Sequence, residues 1–114
     1  MIAVIFEVQP RDGHADAYFK LAASLREQLE AIDGFISVER FQSLTQPNKV
    51  LSLSFWRDED AVRRWREVEA HRGAQRAGRQ QHFADYRLRI AQVLRDYGLN
   101  EREQAPPDSR AAHG

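Results

Sequence analysis

The stretch that most constrains this chain runs from Leu51 to Tyr86. It opens as LSLSFW, with Leu51, Leu53 and Phe55 facing one way and Ser52, Ser54 and Trp56 the other. That period of two is a strand. Arg57-Asp58 turns the chain, and EDAVRRWREV then puts Ala61, Trp65 and Val68 on one helical face. Asp58 is the expected N-cap, and Glu59 and Asp60 fall in the first turn, where the helix dipole favours negative charge. Beyond Val68 the apolar pattern stops. Glu69 to Gln81 is polar and carries Gly73 and Gly78, each costing about 1 kcal/mol against alanine inside a helix.

The rest of the chain supplies partners for that unit. In residues 2–9, Ile2, Val4, Phe6 and Val8 share one face, and Ala3, Ile5, Glu7 and Gln9 the other. Both faces start apolar, the mark of a central strand. Tyr18, Leu21, Ala22, Leu25, Leu29 and Ile32 make the apolar stripe of a helix over residues 14–32, with Gly34 as its left-handed stop. Phe35 to Ser43 reads as a strand joined through the hairpin loop Gln46-Pro47-Asn48-Lys49 to the strand at Val50. Residues 82–97 fit a helical period, with Phe83, Tyr86, Ile90, Val93, Leu94 and Tyr97, and also a strand through Tyr86, Leu88 and Ile90. Topology decides for the strand: the order β-α-β-β-α needs a fourth strand to complete a split βαβ unit. The expectation is an α+β, ferredoxin-like βαββαβ domain with a four-stranded antiparallel sheet over residues 1–98. Residues 99–114, with Pro106-Pro107 and few apolar side chains, are expected to form a flexible tail.

Composition excludes several functions. Formal net charge is zero, so no global field selects nucleic acid or an anionic membrane. Basic residues outnumber acidic ones between Arg57 and Arg95, but the remainder balances them, and no strand shows the exposed aromatic platform of an RNA-binding sheet. There is no cysteine, which removes thiolate chemistry and fits a reducing cytoplasm. The apolar N-terminus is too short for a signal peptide or a membrane span. His14, His71, His82 and His113 lack metal-binding spacing, and no glycine-rich phosphate loop is present, so no metal and no nucleotide are expected.

Three stretches carry a family resemblance: GFISVERFQSLTQPNKVLSLSFWRDEDAVRRW, EAHRGAQRAGR and FADYRLRIAQVLRDYG. Together they resemble the antibiotic biosynthesis monooxygenase (ABM) family of dimeric α+β barrel proteins. The resemblance implies a homodimer in which two four-stranded sheets close into a barrel, and a pocket in each subunit between sheet and helices. It implies a cofactor-independent monooxygenase acting on a small aromatic or quinol-type substrate, whose deprotonated form passes an electron to oxygen. A related branch degrades haem, so haem binding is the alternative. That branch uses an asparagine on the first strand, where this chain has Phe6 and Glu7, and a histidine where this chain has Gln75. A non-catalytic dimeric small-ligand-binding protein is the third reading.

Within this frame the candidate catalytic residues are His71 and Trp65. His71 would deprotonate a phenol or enol, or hold its oxyanion. Trp65 sits where the family resemblance places a tryptophan in the pocket wall. Phe6 and Phe55 are expected to add apolar wall, and Arg72 and Gln75 to meet an anion or carbonyl. Glu39 and Arg40, on opposite faces of their strand, are expected to pair across strands or across a dimer interface.

Overall fold

The computed structural model describes residues 1–70 and 82–114. The four strands anticipated from the sequence are β1 (Ile2–Pro10), β2 (Phe35–Gln42), β3 (Val50–Trp56) and β4 (Phe83–Gln92). They form one antiparallel sheet in the order β2-β3-β1-β4. β1 is therefore central, as its two apolar faces require. Residues 83–92 are strand despite their helical periodicity, because β1 offers an open edge whose N–H and C=O groups must be paired.

Among the described residues the helices are α1 (Ala15–Ser24), α2 (Arg26–Glu30), α3 (Glu59–Ala70) and a short α4 (Pro107–His113). The single helix expected over residues 14–32 is divided at Leu25, whose N–H reaches back only three residues to Ala22 O. The apolar stripe nevertheless runs on through both pieces. Gly34 ends this unit with φ of 96°. A Cβ there would lie 2.7 Å from the Ala61 Cβ, so glycine also permits the close approach of α3.

Two turns are tied together at this point. Asp58 Oδ1 accepts from the Ala61 N–H at 2.9 Å, the expected N-cap of α3. Arg57 donates through both terminal nitrogens to Asp33, at 3.2 Å each, and through Nε to Asp58 at 3.1 Å. The Ala61 N–H, then Arg57, hold the Asp58 carboxyl below its usual range, and Arg57 does the same for Asp33. These groups are solvated, so the pairs orient the turns more than they add net stability.

Among the described residues, α1, α2 and α3 pack on one face of the sheet, in two buried clusters. One joins Ile2 and Trp56 to Leu29, Ala61 and Val62, with Val4, Val38 and Trp65 packed against it. The other joins Val8 and Val50 to Tyr18 and Phe83, with Phe6 against it. The opposite face carries Ala3, Ile5, Leu51, Leu53, Phe55 and Phe41 by strand alternation. Only Glu7, paired with Lys49 and Arg89 at 3.4 Å each, and a few other charged residues interrupt it.

Residues 99–114 contain local structure that their composition did not announce. Pro107 occupies the first position of α4, where a missing N–H costs nothing. Arg102 donates to Gly98 O, Gly114 O and the Ser109 hydroxyl, and its guanidinium lies 5.3 Å from the centre of the Tyr97 ring. One arginine thus gathers a segment that has almost no apolar side chains of its own. Among the described residues, no helix is long and apolar enough to cross a membrane.

Candidate functional site: a cavity between the helices and the sheet

The strand register determines what lies under the helices. On the helix-bearing face, Arg40, Ser52, Phe6 and Leu88 form one row across all four strands. Val38, Ser54, Val4 and Ile90 form the next. The two buried clusters pack against the sheet on either side of these rows. Between them, serines stand where larger side chains would fill the space, and a cavity of about 340 Å³ remains. Ligand pockets typically begin at about this size.

Both rows line the cavity. Tyr18, Leu21, Ala22, Leu25 and Leu29 form its roof, and Val62, Trp65 and Arg66 of α3 close one side. Phe83 and Tyr86 complete an aromatic wall with Phe6, their ring centres 5.8 and 5.7 Å from its own. Tyr86, Leu88 and Ile90 are 57, 52 and 44% exposed, so the cavity opens along β4.

The polar groups inside are few. Ser54 is buried, and its hydroxyl accepts from the Trp56 indole N–H at 2.9 Å. That bond gives Ser54 a structural reason to exist, and none of the described lining residues is a carboxylate or histidine that could activate it as a nucleophile. Of the two pairings expected for Arg40, across strands or across a dimer interface, the cross-strand one is not made among the described residues. The Arg40 Nε is buried in the cavity wall without a hydrogen-bond partner among the described residues. No carboxylate lines the cavity among the described residues.

Of the residues nominated from sequence, the structure brings together Trp65 and Phe6. Phe55 does not join them. It alternates with Ser54 and Trp56, pairs with Ala3, and so projects from the other face of the sheet. The correction follows from strand parity: an apolar strand residue can serve the cavity only at the parity of Ser52 and Ser54. His71, Arg72 and Gln75 lie outside the described residues. Sequence reasoning missed Arg40, Leu21, Leu25 and Leu88 as lining residues. The signal that could have found the cavity is the Ser52–Ser54 pair, two small side chains on the inward face of a strand next to the central one.

Comparison with known proteins agrees with this architecture. In the Mycobacterium tuberculosis protein Rv0793, 19% identical, the match covers 85% of this chain and 98% of that one with a TM-score of 0.73. A conserved protein of Methanosarcina mazei, 20% identical, superposes over 80% of this chain and 90% of its own with a TM-score of 0.71. At these identities the likeness establishes the fold. A nearer relative in sequence is the jasmonate monooxygenase ABM of Pyricularia oryzae, 48% identical over 101 residues, or 89% of this chain. Those residues are 47% of that protein, so this chain spans about half its length. The model of the family described as antibiotic biosynthesis monooxygenase matches residues 1–77, which include β1, both halves of the split helix, the β2–β3 hairpin and α3. On that match, this α+β ferredoxin-like chain belongs to the antibiotic biosynthesis monooxygenase family.

Proposed function

We propose that this chain is a monooxygenase that acts, without flavin, haem or metal, on a small molecule held between its helices and sheet. The observation that carries the reading is the cavity itself: small, mostly apolar, walled by Trp65, Phe6 and Leu88, and opening beside β4. Membership of the monooxygenase family and the 48% identity to a jasmonate monooxygenase support it. The substrate class proposed is an aromatic or quinol-type molecule. Such a substrate, once deprotonated, supplies all four electrons that reduce O₂, so no external reductant is needed. A CH₂ flanked by aromatic rings becomes C=O, one oxygen atom of O₂ is retained, and the other leaves as water.

In this scheme the apolar wall excludes water and aligns the ring system, which strengthens every electrostatic contact inside. His71 is the proposed base, on sequence grounds. The test is oxygen consumption by the purified chain with anthrones, quinols, flavonols and jasmonate, no cofactor being added. Uptake that falls at least tenfold in Trp65→Ala is the expected result. Binding of every compound without oxygen uptake would remove the enzymatic reading.

We also propose that the chain is a homodimer built through the open face of the sheet. Ile5, Leu51, Leu53 and Phe55 would leave a contiguous apolar surface in water unless a second sheet covered it. Light scattering is expected to give twice the monomer mass, and Leu53→Arg to give the monomer. A wild-type monomer at micromolar concentration refutes the interface. The absence of cysteine supports placing the protein in the cytoplasm.

A further inference from the structure

The cavity's floor is chemically graded, and the register shows the direction. Along one row the side chains run from guanidinium (Arg40) through hydroxyl (Ser52) to aromatic (Phe6) and aliphatic (Leu88). Neighbouring strands are about 4.8 Å apart, so three steps carry this gradient over about 14 Å. At its polar end stands the group least at ease in the fold. A guanidinium stays charged at any physiological pH. Burying part of it without an acceptor is costly, yet Arg40 Nε is buried and has no hydrogen-bond partner among the described residues. Arg66 lines the same cavity, and no carboxylate among the described lining residues offsets either charge.

From this we infer that Arg40 is the anion-recognising residue of the cavity, and that the molecule taken there is a small amphiphile with one carboxylate and an apolar body. The carboxylate lies over β2, where the planar fork of Arg40 meets both oxygens. The apolar body crosses Ser52 and Phe6 towards Leu88 and the mouth along β4. The inference deepens the monooxygenase reading, since it names the substrate's handle and its orientation. It also fits the small polar content of the site: one charged contact fixes the register of the ligand, and the apolar wall supplies the remaining affinity. Arg40 acts here as a binding and positioning residue, remote from the reacting carbon.

The test uses binding alone, so its outcome is separate from that of the oxygen-uptake assay. Phenylhexanoate and its neutral near-isostere phenylhexanamide are titrated calorimetrically into the full chain. The wild type is expected to bind the acid at least about tenfold more tightly than the amide, the range of a charge-assisted hydrogen bond. Arg40→Gln should bring the two within about twofold of each other, the larger loss falling on the acid, and Arg40→Lys should restore part of the preference. Thermal unfolding of each variant alongside the wild type establishes that it is folded. Equal binding of acid and amide by the wild type would overturn the inference, as would an acid preference that survives in Arg40→Gln. Failure of both ligands to bind would also overturn it. A clear acid preference carried by Arg40 supports it even if no oxygen is consumed.

Discussion

Gly34→Ala tests whether the junction that holds the two sides of the cavity in register is as tight as the geometry indicates. Gly34 joins α2 to β2, the strand of Arg40, and abuts Ala61 in α3, the helix of Trp65. Two penalties add. Alanine at φ of 96° is strained by about 1–2 kcal/mol. Its Cβ would sit 2.7 Å from that of Ala61, which is fully buried, and relieving such overpacking costs about 1–3 kcal/mol. The sum is about 2–5 kcal/mol, a fall of roughly 10–20 °C in Tm for a domain of this size. Urea unfolding at constant slope is the assay. Gly13→Ala supplies the strain alone, since its φ is 79° with nothing within 4 Å, and should cost about 1 kcal/mol. The overlap should be relieved in the double variant Gly34→Ala/Ala61→Gly, giving a favourable coupling of at least about 1 kcal/mol. If Gly34→Ala costs no more than Gly13→Ala, or the double variant shows no coupling, the contact between α3 and the start of β2 is not a rigid one and the argument fails.

Ser54→Ala should destabilise the chain by about 1–3 kcal/mol in urea unfolding, because it leaves the buried Trp56 indole N–H without its acceptor. Ser54→Thr, which keeps a hydroxyl, should recover part of the loss. Stability should also decline in acid. Asp58 and Asp33 have carboxyl pKa values lowered in the folded chain, so their contribution is present above the unfolded carboxylate range and is lost as pH falls through the folded values. Thermal melts between neutral pH and pH ~3 should show that decline, and Asp58→Asn should flatten it.

Much of the sheet was legible because parity and turn chemistry are local. The alternation through Leu51–Trp56, the loop at Pro47-Asn48 and the stop at Gly34 each correspond to an observed feature. β4 was legible only through topology. Its apolar residues satisfy a helical period equally well, and what decides is the vacant edge of β1, a tertiary fact. The tail beyond residue 98 was not legible, because its organisation rests on one arginine reaching several backbone carbonyls, and such contacts leave no periodic trace.

The site shows the same division with a sharper consequence. Trp65 was nominated because the family resemblance places a tryptophan in the pocket wall, and its side chain, on the apolar stripe of α3, does line the cavity. Phe55 was nominated with Phe6 as apolar wall, and parity sends it to the far face. A cavity is a place where packing is withheld, so its floor is marked by residues too small or too polar for their position rather than by the large apolar ones. Ser52 and Ser54 on the inward side of β3, and Arg40 two residues beyond the packed Val38, are of that kind. A serine on a helix-covered strand face forgoes the burial of several carbon atoms, worth about 0.8 kcal/mol for each CH₂. For Ser54 the Trp56 hydrogen bond offsets part of that loss. For Ser52 and Arg40 no intramolecular contact does so among the described residues, and the unspent affinity of this edge of the cavity is available to a ligand that brings its own apolar body and its own acceptor oxygens.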